Sequence, residues 1–238
     1  MQAFLAILRY DLSQLTQSWV SRIWVPLLLV PAFFLLVVAA TEDELASETL
    51  AAYLVAVLMP LSALAVAVLT AGAIAGEAQI IADGILSRSV TRTEFVSAKI
   101  VSRLGFTLAV YLLVMLPFSY LIVRYAASDV SFAGLLIALF TAALLLTFLG
   151  ALGLTLSTVM TNVLVSVLVL LLVVLSSGLL LEFLGLSWMS VTAVLAHLAP
   201  TIRGETPAWD TFRVVFVFSG LTAAAVLATY SVFRQRDL

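Results

Sequence analysis

Long apolar segments separated by short polar ones are the main pattern along this chain of 238 residues. A bilayer core about 30 Å thick needs roughly 20 apolar residues per helix, and six segments have about that length. Their unbroken hydrophobicity predicts transmembrane helices and excludes membrane-spanning strands, in which polar and apolar positions alternate. The predicted spans are Ile23–Ala40, Leu50–Ala75, Leu104–Val123, Ser131–Leu156, Val163–Leu181 and Phe212–Phe233. The pattern therefore predicts an all-α integral membrane protein with residues 1–238 in a single transmembrane domain.

Composition and charge support this prediction and add an orientation. Hydrophobic residues make up 64% of the chain, charged residues 10%, and the mean hydropathy is +1.24. One side of the predicted bundle carries Arg9, Arg22, Arg88, Arg92, Lys99, Arg103, Arg234 and Arg236. The other carries Arg124, Arg203 and Arg213 together with Glu42, Asp43, Glu44, Glu48, Asp129, Glu182, Glu205 and Asp210. Because basic residues in short loops stay in the cytoplasm, both termini are predicted to be cytoplasmic. No basic patch is interleaved with aromatic residues, so we expect no nucleic-acid partner.

Residues 1–22 precede the first span and have an amphipathic pattern. Apolar residues recur at spacings of three and four, and polar residues fall between them. The apolar face is predicted to be Leu5, Leu8, Leu12, Leu15 and Trp19, and the polar face Gln2, Arg9, Asp11, Ser13, Gln14 and Gln17. The segment is predicted to be a helix lying in the cytoplasmic interface of the bilayer. Two roles remain open, a surface anchor and an element that carries motion from a cytoplasmic partner.

The loop 76–103, between the second and third spans, is the most polar stretch between any two spans. Asp83-Gly84 predicts a helix break, and the polar stretch Ser87-Arg88-Ser89-Val90 follows it. Thr91 and Glu94 have the spacing of a capping box, so a helix is predicted to begin there and to continue into the third span. The loop is therefore predicted to hold a short cytoplasmic element between two long helices, although a solvated loop would satisfy the same charges.

The run from Ile74 to Leu104 resembles the cytoplasmic loop of the membrane subunits of ABC transporters of the type-2 permease family. Drug and polysaccharide exporters with the type V exporter fold belong to this family. The resemblance rests on Glu77, Gly84, Leu86-Ser87, Arg92 and Lys99, whereas Ser89 stands where the family pattern usually has proline. The layout is also similar, with an interfacial N-terminal helix, six spans and a long external segment before the last one.

This resemblance implies a division of labour between subunits. A coupling helix within Asp83–Arg92 would dock on a separate cytoplasmic ATPase, and two permease copies, identical or closely related, would work with two ATPases in a prokaryotic cell membrane. The residues implied in coupling are Glu77, Asp83, Gly84, Ile85, Leu86, Ser87, Arg88 and Arg92. ATP and Mg²⁺ would bind to the ATPase, and this chain would have no cofactor, metal or catalytic residue. In agreement, the only lysine, Lys99, is not part of a glycine-rich phosphate-binding loop.

Residues 182–211 form the long external segment. Its apolar part, Leu186–Leu198, is too short to span a bilayer, so we expect a re-entrant or interfacial segment. The resemblance implies that Trp188, His197 and Pro200 close the outer end of a transport pathway. An interfacial cap anchored by Trp188 and Trp209 is an equally open reading of the same residues.

The resemblance implies two facing copies, and a transport pathway between them would be lined mainly by the second and fifth spans. Its few polar groups would be Ser62, Thr70, Ser166, Ser176 and Ser177, in an aliphatic wall suited to an amphiphilic or hydrophobic cargo. Helix packing or lipid contact would explain the same residues. The spacing Gly150-x-x-Gly153 suggests a small-residue face that lacks a partner within one copy, which favours a dimer.

Two other functional classes are compatible with six spans. An intramembrane serine protease could use Ser177, in Ser176-Ser177-Gly178, together with His197, but it would need both on packed helices within hydrogen-bond reach. An ion-coupled carrier or channel usually needs ionisable residues inside the membrane, and no acidic residue or histidine lies near the centre of a predicted span.

Overall fold

The computed structural model describes residues 2–75, 91–160 and 162–235. All regular secondary structure in these ranges is helical. Seven of the implied coupling residues lie outside the described residues, namely Glu77, Asp83, Gly84, Ile85, Leu86, Ser87 and Arg88. Arg92 is the one implied coupling residue that the structure describes.

The structure describes ten α-helices and two short turns of other helix types in the ranges given above. The first half of the chain contains α1 (Gln2–Gln17), α2 (Trp19–Thr41), α3 (Ala46–Tyr53), a π-helical turn (Leu54–Leu58) and α4 (Met59–Ala75). The second half contains α5 (Arg92–Tyr125), α6 (Phe132–Val159), α7 (Val163–Phe183), a 3₁₀ turn (Ser187–Met189), α8 (Val191–Ala196), α9 (Leu198–Arg203) and α10 (Ala208–Gln235).

Six helical segments within the described ranges are long and apolar enough to cross a membrane. They are α2, the continuous segment from α3 through α4, α5, α6, α7 and α10. Each contains one of the predicted spans apart from Ser131, which is the residue before α6, so the prediction of an all-α, multi-pass membrane protein is confirmed. Hydropathy located the spans, but most helices extend beyond the apolar runs because capping and polar contacts, not hydrophobicity, set their ends.

Helix α5 is the longest, at 34 residues, and it begins where the capping box predicts. The Glu94 N–H donates to the Thr91 hydroxyl at 3.2 Å, and the Thr91 N–H donates to the Glu94 carboxylate at 3.2 Å. These reciprocal bonds satisfy two of the amide groups that a helix start leaves without intrahelical partners. The prediction of one continuous helix from residue 91 through the third span is confirmed.

Helix α6 lies at the centre of the fold and packs against α4, α5, α7, α9 and α10. Its glycines permit close contacts: a Cβ at Gly153 would collide with the Thr70 hydroxyl, and one at Gly150 would collide with the Leu104 side chain. The Gly150-x-x-Gly153 face is therefore filled within one chain. The expectation that this face lacks an internal partner was wrong, because α4 and α5 occupy it.

Contacts between helix ends define two ends of the bundle. At the N-terminal end, Arg103 Nη1 of α5 donates to the Leu69 carbonyl of α4 at 2.9 Å. At the far end, the Ala46 N–H donates to the Ala127 carbonyl and the Ser131 N–H donates to the Ile202 carbonyl, both at 3.0 Å. This pairing follows from spans of alternating direction, and the end of α4 and the start of α5 both lie at the N-terminal end.

Labelling of introduced cysteines will test the orientation of the two ends. The chain contains no cysteine, and Gln14 on α1 and Glu42 at the far end are both exposed. We expect Gln14→Cys to react with a membrane-impermeant maleimide only after cells are opened, and Glu42→Cys to react in intact cells, because basic residues are retained inside. Reaction of both variants from the same side would refute the six-span topology.

Candidate functional site

A buried carboxylate at the N-terminal end joins α1 to α5. The Asp11 side chain is 0% exposed and Lys99 is 1% exposed. Asp11 Oδ1 lies 2.7 Å from Lys99 Nζ and 2.9 Å from Arg103 Nη2, and Oδ2 accepts a hydrogen bond from the Ser102 hydroxyl. We call Asp11, Lys99, Ser102 and Arg103 the Asp11 cluster. It contains one negative and two positive charges.

Helical spacing places these residues opposite one another. Lys99, Ser102 and Arg103 are separated by three and four positions on α5, so they share one face of that helix. On α1, the buried Leu15 lies four positions after Asp11, which puts the carboxylate in the row of residues that packs on α5. The polar side chains of the Asp11 cluster are thus aligned along the contact between α1 and α5.

The cluster also reaches α4 and α10. Arg103 uses a second nitrogen to bind the Leu69 carbonyl of α4. The Lys99 ammonium lies 5.7 Å from the centroid of the Phe95 ring, and that ring stacks on Phe233 of α10 at 5.9 Å. Four helices therefore meet around one carboxylate.

Electrostatics keep Asp11 ionised. Burial acts to raise its pKa, but the Arg103 charge and the hydrogen bonds from Lys99 and Ser102 act in the opposite direction and lower the pKa below its usual value. A buried carboxylate without such partners would instead be neutral. Arg103 Nε is buried and has no hydrogen-bond partner among the described residues, so the cluster is not fully satisfied by the groups seen here.

The structure corrects the predicted polar face of α1. Asp11 was expected on the polar, solvated face and is instead buried. Leu5 and Trp19 of the predicted apolar face are exposed on the isolated chain, as side chains that contact lipid would be, so the interfacial placement of α1 stays a prediction. Asp11 is buried because Lys99 and Arg103 offer it two counter-charges on α5. A sequence signal was present: two basic residues four positions apart at the start of a span require an acidic partner if they are buried.

Polar contacts at the far end hold a different set of elements. Asp129 accepts hydrogen bonds from both the amide, at 2.9 Å, and the hydroxyl of Ser47 at the start of α3. Arg203 at the end of α9 donates to the same hydroxyl at 3.3 Å and lies 3.2 Å from Glu205 and 3.7 Å from Glu48. These contacts fasten α9 to the start of α3, so the short helices of this end form a cap on the bundle.

The external segment is divided into short helices, and two of its three predicted gate residues meet in a cavity. A cavity of about 240 Å³ lies between α6, α8, α9 and α10 and is lined by Trp188 and His197. Pro200 lies in α9, where its carbonyl accepts a hydrogen bond from the Glu205 amide at 2.9 Å, and it does not line the cavity. A gating role for these residues stays a prediction.

The predicted pathway residues do not converge on one cavity in the single chain. Ser62, Thr70 and Ser166 are buried between helices, and Thr70 donates to the Val66 carbonyl of its own helix at 2.7 Å. Ser176 and Ser177 are half-buried on α7. Their part in a pathway between two copies stays a prediction.

The serine and histidine considered for a protease are not paired. The Ser177 hydroxyl donates to the Val174 carbonyl at 2.8 Å, and His197 Nδ1 bonds the Ala193 carbonyl at 2.7 Å. Both groups are therefore engaged with the backbone of their own segments, and no hydrogen bond joins a serine nucleophile to a histidine base.

Comparison with known proteins finds no family model and no curated protein that matches this sequence. The resemblance to ABC permeases therefore remains an expectation based on the residues named above.

Replacing Asp11 tests whether the cluster stabilises the fold. Asp11→Asn removes the carboxylate that pairs with the buried Lys99 and the part-buried Arg103, and breaking a buried ion pair in this way destabilises by about 3–5 kcal/mol. We expect a clear loss of thermal stability in detergent, measured by monodisperse elution after heating. Arg9→Gln, which removes an exposed charge from the same helix, should change stability by at most about 0.5 kcal/mol. Equal stability of the two variants would contradict the assignment.

The stabilisation should depend on pH only in acid. Because the pKa of Asp11 is lowered in the folded state, its contribution is present above the unfolded pKa of about 3.9 and is lost as the pH falls through the lower, folded pKa. The difference in melting temperature between the wild type and Asp11→Asn should therefore be constant from about pH 8 to about pH 5. A difference that disappears within this range would show that Asp11 is not held ionised by the cluster.

Proposed function

We propose that this chain is the membrane-spanning permease subunit of an ATP-driven ABC transporter, powered by a separate cytoplasmic ATPase. The cargo would be amphiphilic or hydrophobic and would be exported. The observation that carries this proposal is the Asp11 cluster, which lies at the start of α5 and fastens α1, α4 and α5 to one another. The sequence resemblance in residues 74–104 supports the same reading independently.

The two helices that flank residues 76–90 are α4 and α5, and they are joined directly to each other. Helix α4 ends before this segment and α5 begins after it, and Arg103 links the two helices directly through the Leu69 carbonyl. A force applied to the segment by a docked ATPase would reach α4 and α5 together. Because α5 is a single 34-residue helix, displacement of its first turns also moves its far end.

Two further contacts extend this unit to the last span. Arg92 Nη1 donates to the Arg234 carbonyl at 3.3 Å, and the hydroxyls of Ser97 and Tyr230 are 2.7 Å apart. The start of α5 is thus held by α1, α4 and α10. In the proposed mechanism this set of helices moves together, and α1 transmits motion in addition to anchoring the chain at the interface.

The proposed assembly contains two permease copies and two ATPases. The exposed apolar surfaces of α7 and α10 leave room for a second copy, although lipid would satisfy the same surfaces in a bilayer. ATP and Mg²⁺ would be bound by the ATPase, and the cytoplasmic location of both termini rests on the basic-residue bias.

An ion-coupled carrier is the alternative function, and the buried carboxylate is the observation in its favour. Buried ionisable residues commonly relay protons in carriers. Asp11, however, has two cationic partners that lower its pKa, so it does not exchange protons near neutral pH. The geometry therefore supports a structural ion pair better than a proton relay.

The ATPase partner can be tested with a charge placed in the implied coupling helix. Losing a buried aliphatic contact destabilises by about 2–5 kcal/mol, so Leu86→Asp should abolish docking if Leu86 packs into an ATPase groove. We expect tagged wild-type protein from native membranes to co-purify with an ATPase and with ATP hydrolysis, and Leu86→Asp to lose both.

Thr93→Asp is the matched control, because it adds the same charge at an exposed position in the first turn of α5. It should keep the ATPase, and all three proteins should elute identically from a sizing column. The proposal fails if wild-type protein brings no ATPase, or if Leu86→Asp retains it. Cargo flux driven by an ion gradient in liposomes containing only this chain would support the alternative.

A further inference from the structure

The far-end cavity is lined by both polar and apolar side chains. The polar ones include Trp188, His197, Asp210 and Arg213, and the apolar ones include Ile137 and Val214. Its volume of about 240 Å³ can hold a small polar group but not a whole drug-sized molecule. The cavity is assembled from α6, the 3₁₀ turn, α8, α9 and α10, so it exists only in the folded bundle.

Arg213 is held in a fixed position in this cavity. Its Nη2 lies 2.7 Å from the Asp210 carboxylate, and its guanidinium carbon lies 4.8 Å from the centroid of the Trp188 ring. Its Nε is buried without a hydrogen-bond partner among the described residues. A buried donor that lacks an acceptor is unfavourable. The Arg213 side chain as a whole is 38% exposed, so its outer nitrogens are accessible, and a guanidinium suits a phosphate oxygen.

The charged groups of the cavity lining are paired. The lining carries two carboxylates, Asp210 and Glu205, and one guanidinium, Arg213. Asp210 pairs with Arg213, and Glu205 pairs with Arg203, which lies outside the lining, so each carboxylate has an adjacent positive group. His197 Nδ1–H donates to the Ala193 carbonyl, which can only accept, and Nε2 of the neutral ring is then an acceptor. Such a lining suits a zwitterion, with its anionic part at Arg213 and its cationic part at Asp210.

A row of exposed aromatic rings runs along α10, on the face next to Arg213 and outside the cavity lining. Trp209, Phe212 and Phe216 are 68%, 56% and 69% exposed, and successive rings stack with centroids 5.7 Å and 6.0 Å apart. At 3.6 residues per turn, Arg213 lies between this aromatic row and Asp210. A molecule bound to Arg213 could therefore place its apolar part along the row.

We infer that this cavity binds the headgroup of a zwitterionic phospholipid, with the phosphate on Arg213, the ammonium on Asp210 and an acyl chain along Trp209, Phe212 and Phe216. The site does not depend on the proposed ATP-driven function, because nothing in its geometry involves the N-terminal end. It would place a lipid against α9 and α10, the elements that cap the far end.

Native mass spectrometry of the purified protein in detergent tests this site. The probes are a short-chain phosphatidylethanolamine, a phosphatidylglycerol that lacks the ammonium, a diacylglycerol that lacks the phosphate, and water-soluble glycerophosphoethanolamine. We expect one tightly bound phosphatidylethanolamine, weaker binding of phosphatidylglycerol, and no comparable binding of the other two. Arg213→Gln should weaken phosphatidylethanolamine binding about tenfold or more, as loss of a charged hydrogen bond does.

Two further variants make the result specific. Asp210→Asn should reduce the preference for phosphatidylethanolamine over phosphatidylglycerol. Arg124→Gln removes an exposed arginine at the same end but outside the cavity, and it should bind as the wild type does. The inference is overturned if all the lipids bind equally, if none binds, or if Arg213→Gln and Arg124→Gln behave alike. Equal affinity for glycerophosphoethanolamine would show that the site takes soluble zwitterions and would remove the lipid assignment.

Discussion

The organisation of the N-terminal end depends on the neutralisation of one buried carboxylate. A charge removed from water is strongly unfavourable unless it is paired and hydrogen-bonded, and Asp11 meets this condition only when α1 lies on α5. Lys99 and Arg103 face the same constraint from the other side, because neither cation can be buried alone. The geometry of α1 on α5 is thereby specified by charge, whereas apolar contacts between helices in a membrane have little such specificity.

The two ends of the bundle use different interactions. At the N-terminal end a buried ion cluster and stacked rings join long helices around the start of α5. At the far end the links are backbone hydrogen bonds, the Asp129 contacts to Ser47 and partly exposed pairs of Arg203, which hold short helices over the bundle. Exposed ion pairs contribute little to stability compared with buried ones, so the cap is expected to be the weaker assembly. In a transporter of the proposed kind, the N-terminal end would be rigid and would receive the motion of the ATPase. The weaker cap at the far end would be the part that moves when cargo leaves.

The features that were predicted correctly from the sequence are those that depend on a local pattern of residues. Apolar length located every span, and the Thr91 and Glu94 spacing located the start of α5, because these signals lie within one helix. The Asp11 cluster was missed because Asp11 and Lys99 are 88 positions apart and helical periodicity alone assigns a charged residue to solvent. The glycines of α6 were misread for the same reason: spacing indicates a small-residue face but not whether the partner helix belongs to the same chain. The cavity at the far end was only partly anticipated, through Trp188 and His197, because Arg213 lies within the last apolar span.

The central claim is that the Asp11 cluster fastens α1 to the bundle, and hydrogen–deuterium exchange of residues 2–17 tests it directly. In the wild type, α1 amides should exchange slowly, as in a helix that is docked on α5. In Asp11→Asn the same amides should exchange much faster, whereas those of the central helix α6 should be unchanged, because local release of α1 leaves the rest of the bundle intact. Unchanged protection of α1 in Asp11→Asn would contradict the account.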